Sequence, residues 1–542
     1  MREVAKSVEP SKPAKSKKKN KTVCRPGIRT IDAIRKSSKL KHFQKWRQIA
    51  GVVRQDIRSY GCFFNTPQGY FIFDSEYRRA FPLQRGNVAL AALVEKRYGI
   101  NATEREFKEL LASLQSEAHL RGKQVEIRRL AYYDRVSYRL YVSRFDGNMY
   151  RLDGNLVELI PNGSDGVFFF DNPAWHPYEY LNEAPEGQLD KMLIESVNFA
   201  DDGALSVTEQ RLLLKLWLLA VFFSSLHPTK ILLLLLGEKG GGKSTSLRQI
   251  VILIFGPKAQ LYSLEGSKAD GFVAAVTSEP LVMFDNVDER ISWLPDALAR
   301  LATGTEFPRR QLYTTNEMVS FKGDCWLGLN ARTAKFMESR DDLPDRTLVL
   351  RTKRIETFVG ESELLADVAQ HRDELWSELL DELQAIVRHL RESRDQTTVR
   401  FRMADFASFA LQVGTLWGCR DVVNSIFAKL EEEQSELIFE DDPICQALEL
   451  WLANKENCGR LVDSATLQRE LLSLASVNAI AWPYKNGRSL GQRLSHVLPN
   501  LRQKFEVNVE TDSARQHLYR FCPKAESLKQ GRPQFEEIQT AK

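Results

Sequence analysis

The chain has 542 residues, 43% of them hydrophobic and 27% charged, with a formal net charge of +5. This is an ordinary soluble globular composition, long enough for about two to four domains, and its mild basic excess is compatible with nucleic-acid binding without demanding it. Its longest apolar stretch, Leu212 to Leu236, is interrupted by Lys215 and by His227-Pro228-Thr229-Lys230, so neither half could span a bilayer. The N-terminus is lysine-rich and lacks the apolar segment of a secretory signal, which points to a cytoplasmic protein. Seven cysteines are scattered with no C-x-x-C pair, arguing against a disulfide framework or a zinc site and for reduced packing residues.

In chain order, residues 1–45 form a basic tail in which Lys12, Lys15, Lys17, Lys18, Lys19 and Lys21 lie among Ser, Pro and Ala. That composition cannot bury a core, so the tail is expected to be disordered, either simply solvated or a phosphate-binding arm. Residues 46–172 read as an α+β module, with a helix over Thr103–Leu120 and strands over Val125–Tyr133, Tyr138–Phe145 and Val167–Asp171. Pro173, Pro177 and Pro185 mark a connector, Pro173–Gly187, and Leu205–Leu226 is a strongly apolar helix that completes the lead-in to residue 230.

The most informative segment follows. Ile231 to Leu236 is apolar at every position, as expected of a parallel strand covered on both faces. It runs into Gly237-Glu238-Lys239-Gly240-Gly241-Gly242-Lys243-Ser244-Thr245, which satisfies G-x-x-x-x-G-K-[ST], and then into a helical Ser246–Ile254. Glycines at a phosphate-binding loop let backbone NH groups turn inward with no Cβ in the way. Lys243 would reach the β and γ phosphates and Ser244 would ligate Mg2+, with the partial positive charge of the helix N-terminus behind them. No N-K-x-D guanine signature is present, so ATP is the expected nucleotide.

A second half of such a site needs an acid to hold the metal, and Leu281–Asp285 supplies a strand ending in one, about forty residues beyond Lys243. Its strand is expected beside the strand that feeds the loop. Asn286 stands where a second, water-polarising carboxylate often sits, which leaves Asp288 or Glu289 as substitutes, or slow hydrolysis. Trp326–Leu329 is another short strand, ending in Asn330, which could touch the γ-phosphate or the attacking water. Arg346, with Arg340 second, is the candidate for a guanidinium delivered to a neighbouring subunit's γ-phosphate; the alternative is an ion pair of Arg346 with Asp342 or Asp345. Between the acid and Asn330, alternation on both sides of Thr315-Asn316 suggests a hairpin, flanked by Arg309, Arg310 and Lys322, that could grip a phosphate backbone.

The nucleotide core is expected to close near Glu356. A helical region over 357–455 follows, with periodicity over Ser362–Arg394 and Met403–Leu452. Residues 456–525 read as helices Ser464–Ala475 and Ser489–Phe505 and then two strands within Glu506–Phe521, which is winged-helix order; 526–542 is a second disordered tail. Arg488, Arg493 and Arg502 on or near the second helix and Arg515 in the hairpin would suit duplex DNA, although winged helices also dock proteins.

The order of these motifs resembles the superfamily 3 helicase class of AAA+ ATPases, in particular the primase-helicase-type ATPases of phages, plasmids and integrated elements. The resemblance spans about Pro173 to Phe521 and is carried by GEKGGGKST, VMFDN, WLPDALARLATGTEFPRRQLY, the Asn330 strand, DLPDR and Phe401–Phe406. It implies an α/β P-loop AAA+ core with an N-terminal α+β module, a helical region and a C-terminal winged-helix-like domain. It also implies P-loop, magnesium, sensor and arginine-finger roles for Lys243, Ser244, Asp285, Asn330 and Arg346, and a homo-oligomer, typically a hexameric ring on single-stranded DNA. Asn286 departs from the expected second acid, and the N-terminal module shows no convincing pair of metal-binding carboxylates for primer synthesis. An ATP-driven DNA translocase and a regulatory AAA+ switch with slow hydrolysis are therefore both open readings.

Overall fold

In the computed structural model, which describes residues 26–524 except 171, 265–268, 288–290, 311–317, 323, 338–339, 341, 394–398, 400, 441 and 512–516, the all-apolar run becomes the strand Leu232–Gly237. It is the fourth of five parallel strands, ordered Tyr262–Ser263, Leu281–Asp285, Trp326–Ala331, Leu232–Gly237, Thr347–Thr352. Leu233 and Leu235 face one apolar layer, shared with the helices Val207–Phe222, Lys243–Phe255 and Arg372–Glu392. Leu232, Leu234 and Leu236 face the other, with the helices Asp270–Ser278 and Leu294–Ala302. A strand covered on both sides can spare no polar position, which is why the run does not alternate.

The chain divides into two compact units, Met1–Ile127 and Arg128–Lys542. In the first, helices His42–Tyr60, Val88–Tyr98 and Arg105–Arg121 pack around a core of Ile49, Val53, Phe63, Ile72 and Leu114. Its sheet is ordered Arg79–Pro82, Gly69–Asp74, Gly61–Thr66, Lys123–Gln124. One charge pair is enclosed there: Arg97 lies 2.7 Å from Asp74, with side chains 3% and 0% exposed.

The second unit opens with an antiparallel meander, Ala131–Asp134, Arg139–Ser143, Asn148–Leu152 and Val157–Pro161. Tyr133, Leu140, Val142, Tyr150 and Leu152 share the apolar layer of the parallel sheet's helices. The expected α+β module of 46–172 is therefore cut at Ile127: one face of the meander joins the layer of the sheet's helices, and its other face encloses only the small cluster Tyr141, Met149, Ile160 and Phe169. Nor is Pro173–Gly187 a free connector. Tyr178 is buried with its ring stacked 3.7 Å from Trp376, and the Arg372 guanidinium donates to the carbonyls of His176, Pro177, Leu253 and Ile254. Prolines report breaks in hydrogen bonding, not whether the aromatics between them are buried.

Lys215, the charge that interrupts the apolar stretch, lies 2.8 Å from Asp190 and 2.6 Å from Glu382, with only 14% of its side chain exposed. Burial pushes the Lys215 ammonium down, but Glu382 and Asp190 outweigh it and hold its pKa above the ordinary value. Removing the cation strands the largely enclosed Glu382 carboxylate and frees the more exposed Asp190, so Lys215→Met is expected to destabilise the fold by about 3 kcal/mol. The check is a lower denaturant midpoint at unchanged slope; an unmoved midpoint would refute it.

Helices Glu361–Gln370, Arg372–Glu392, Ala404–Leu416 and Arg420–Glu440 follow the sheet. The C-terminal elements run helix Pro443–Ala453, strand Val462–Asp463, helices Ser464–Val477 and Gly487–Lys504, then the hairpin Phe505–Thr511 and His517–Pro523. They enclose a separate core of Trp451, Leu471, Leu490, Leu494 and Phe521. Asp463 starts the first of the paired helices by accepting from the N–H groups of Ala465 and Thr466. Two of the scattered cysteines meet here: the Cys458 and Cys522 sulfurs lie 2.8 Å apart, a proximity that spacing along the chain could not reveal. Among the described residues no helix is long and apolar enough to cross a membrane.

Candidate active site

The strand Leu232–Gly237 ends in a turn that its glycines make possible in two different ways. Gly240 and Gly242 adopt φ of +85° and +77°, the left-handed region that residues with a Cβ avoid. At Gly237 the constraint is also steric, since a Cβ would sit 2.1 Å from the Thr352 carbonyl oxygen of the neighbouring strand. The helix Lys243–Phe255 begins immediately after Gly242. Its first side chain folds back: the Lys243 ammonium donates to the carbonyls of Gly237 (2.7 Å) and Glu238 (2.8 Å). Glu238 and Lys239 are exposed at the crest. Thr245 also lines the cleft and donates to Glu361.

Ser244, Asp285 and Asn330 converge although they are 41 and 45 residues apart along the chain, counted from Asp285. Ser244 Oγ donates to Asp285 Oδ1 at 2.7 Å, and Asn330 Nδ2 donates to the same oxygen at 2.7 Å. Asn330 Oδ1 accepts the Asn286 N–H at 2.7 Å, and the Asn330 carbonyl accepts from the Val287 N–H. Buried to 3% exposure, Asn330 thus fixes both the acid and the turn that follows it, in which Asn286 takes φ +56°. The strand of Asp285 is not beside the central strand, as the sequence suggests; Trp326–Ala331 lies between them. A strand that enters the sheet later in the chain leaves no trace in the spacing of the earlier two, and the inserted strand is the one that brings Asn330.

These residues line a cleft of about 1080 Å³ running from Gly240–Ser246 past Asp285, Asn286 and Asn330 to Ile355–Val359. Among the described residues no three His, Cys, Asp or Glu side chains gather as a metal cage. The donor set that does exist, one hydroxyl and one carboxylate in contact, is the kind a hard divalent cation completes with waters and phosphate oxygens. The loop meets the same test for a polyphosphate, since close backbone approach and positive φ at its glycines keep the cradle clear of side chains. Arg332 and Arg354 also line this cleft. Sequence reasoning missed both; for Arg332 the available signal was its position two residues past the Asn330 strand end.

Other sequence candidates lie elsewhere. Arg340 and Arg346 are not on the cleft of their own chain. Arg346 pairs with Asp342 at 3.0 Å and donates to the Ala299 carbonyl, while Arg340 pairs with Asp296 (2.6 Å) and Asp342 (2.9 Å). Burial lowers the Arg346 pKa, whereas Asp342 and Asp296 hold that of Arg340 up. Arg402 takes the remaining partner, Asp345. Arg309 and Arg310 are in the strand Glu306–Arg310, which pairs antiparallel with Met318–Lys322, Arg310 opposite Met318 and Glu306 opposite Lys322. This hairpin is a separate two-stranded sheet, with its expected Thr315-Asn316 turn outside the described residues. Asp288, Glu289 and Arg515 also lie outside them. On the helix Gly487–Lys504, Arg488 and Arg502 are exposed, but Arg493 reaches Asp442 at 3.4 Å.

Residues 191–434 match the family model described as Actinomycete integrative conjugative element replication protein. The segment that builds this cleft is therefore similar to replication proteins of mobile elements. No curated protein matches the chain. Among solved structures it aligns with SCCmec type IV Cch, described as an active helicase, at 13% identity and a TM-score of 0.42, over 83% of this chain and 90% of that one. It also aligns with the apo A form of the NrS-1 C-terminal region at 11% identity and a TM-score of 0.39, over 86% and 97% respectively.

Proposed function

We propose that this chain is an ATP-dependent DNA translocase or helicase-type ATPase acting in the replication of a mobile genetic element. The observation that carries the reading is the contact of Ser244 with Asp285 at the mouth of the Gly237–Thr245 loop, inside the segment similar to element-borne replication proteins. In this reading the loop's backbone N–H groups and the N-terminus of the Lys243–Phe255 helix bind the phosphates of ATP. The Lys243 ammonium leaves the carbonyls of Gly237 and Glu238 for the β and γ oxygens. Ser244 and Asp285 hold Mg2+, which when bound neutralises charge developing on the phosphoryl oxygens. Asn330 keeps Asp285 aimed by donating to its Oδ1. Arg346 and Arg340, off their own cleft, would serve the site of the next subunit in a ring, and to do so each must exchange Asp342 for phosphate. The Arg309, Arg310 and Lys322 hairpin would track single-stranded DNA, and Arg488 and Arg502, on a winged-helix-like domain, the backbone of a duplex.

Asn286 favours a second reading. It occupies the position after the metal-holding acid with an amide that cannot accept a proton, which suits a regulatory switch whose hydrolysis is a slow reset. ATP turnover measured with and without single-stranded DNA separates the two. The translocase reading predicts at least about tenfold stimulation, eroded by salt as phosphate contacts are screened. Turnover indifferent to DNA at low salt would leave the switch.

A further inference from the structure

We propose that residues 353–360, the strap between the last sheet strand and the helix Glu361–Gln370, are a nucleobase shelf whose stacking surface is the ring of Phe358. The inference rests on the nucleotide reading of the cleft and adds to it the part of the ligand that the phosphate loop cannot recognise.

The strap is fastened to the loop at both ends. At its start, the Ile355 N–H donates to the Gly240 carbonyl at 3.0 Å, and the Asn198 amide donates to the carbonyls of Lys353 (3.0 Å) and Arg354 (3.1 Å). At its end, Glu361 accepts from Thr245 Oγ1 at 3.0 Å and Arg248 Nη1 at 2.8 Å, both on the helix that follows the loop. The span between these anchors therefore lines the cleft next to Gly240. A Cβ on Gly240 would lie 3.6 Å from the edge of the Phe358 ring, and one on Gly242 only 3.0 Å from Ile355 Cδ1.

What the strap presents there is apolar and uncovered. Phe358 is 64% exposed and Val359 55% exposed, both lining the cleft, while every other phenylalanine of this unit whose burial is described is buried or half-buried. A large ring left in water beside a polar cradle loses nothing when a flat aromatic ligand covers it, and stacking on a base contributes about 1–3 kcal/mol. The cleft also divides by chemistry: its floor, Gly240–Ser246 with Asp285 and Asn330, offers donors and oxygen ligands, and its rim, Ile355, Phe358 and Val359, offers apolar surface. Arg354, exposed between them, leaves the rim tolerant of the ligand's negative charge. A molecule matching both ends is a nucleoside triphosphate with its base on Phe358. Because a ring face reads π-surface and not hydrogen-bonding edges, the shelf should discriminate weakly between ATP and GTP.

The test is competition binding by the full chain, with Mg2+ present, of ATP, GTP and inorganic tripolyphosphate. Phe358→Ala is expected to weaken ATP and GTP each by about tenfold or more while leaving tripolyphosphate unchanged, and Phe358→Tyr to restore both nucleotides. If Phe358→Ala leaves nucleotide affinity within twofold while Lys243→Ala abolishes it, the shelf is wrong and the phosphate cradle stands. If Lys243→Ala changes neither nucleotide nor tripolyphosphate binding, the cradle reading itself fails.

Discussion

Replacing Lys243 by alanine is expected to weaken ATP binding at least about a hundredfold and to remove hydrolysis. Lys243 is 9% exposed as a residue and its ammonium is held by the Gly237 and Glu238 carbonyls, so in the free protein it is stored under the loop that would receive the phosphates. Moving it to phosphate oxygens exchanges two neutral acceptors for charged ones, so what counts is the difference between ammonium–carbonyl and ammonium–phosphate bonds. A gain of about 1.4 kcal/mol at each of the two contacts makes the hundredfold. The two carbonyls freed by truncation lie in a turn at the cleft, where water can satisfy them, so the fold should persist. Titration of Lys243→Ala with ATP, alongside its unfolding transition, checks both halves; undiminished affinity in a folded variant would contradict the assignment.

Asp285→Asn should separate binding from chemistry. The amide keeps the size of the carboxylate and its oxygen can still accept from Ser244, whose hydroxyl sits 2.7 Å away. What disappears is the negative charge that would hold Mg2+, and with it the placement of the cation against the reacting phosphoryl group. Loss of one such preorganised electrostatic contact costs about 10²- to 10³-fold in turnover, while nucleotide affinity falls much less because the loop and Lys243 remain. The same variant should require far more Mg2+ for half-maximal rate. Single-turnover hydrolysis across a magnesium titration reads both quantities, and a normal rate at ordinary magnesium would exclude Asp285 from the metal.

How far these features could be read from residues alone depended on whether their signal was local. The central strand was legible because burial on two faces forbids any polar residue among Leu232–Leu236, and the glycine turn because positive φ at Gly240 and Gly242 leaves few other residue types. The helix Arg105–Arg121 differs from its expected span, Thr103–Leu120, by two residues at its start and one at its end. Properties set by distant partners were hidden. Strand insertion placed Asn330 between Gly237 and Asp285, where its amide also donates to the acid, a contact that spacing along the chain could not show. The strands Gly61–Thr66 and Gly69–Asp74 escaped notice because each is short and neither alternates apolar with polar residues. The meander of 131–161 looked like part of the preceding module because its own residues say nothing of the layer they pack against. Phe358 carried no signal at all: an exposed phenylalanine in a polar stretch becomes informative only when its ring is found beside Gly240.

The central claim is that the Gly237–Thr245 loop and Asp285 together hold a magnesium-chelated triphosphate. A structure of the full chain with Mg2+ and a non-hydrolysable ATP analogue tests it most directly. The account predicts the β and γ phosphates inside the loop, Lys243 moved from the Gly237 carbonyl onto their oxygens, and a cation between Ser244 and Asp285. Nucleotide found outside the loop, or a cation with no contact to either side chain, would contradict it.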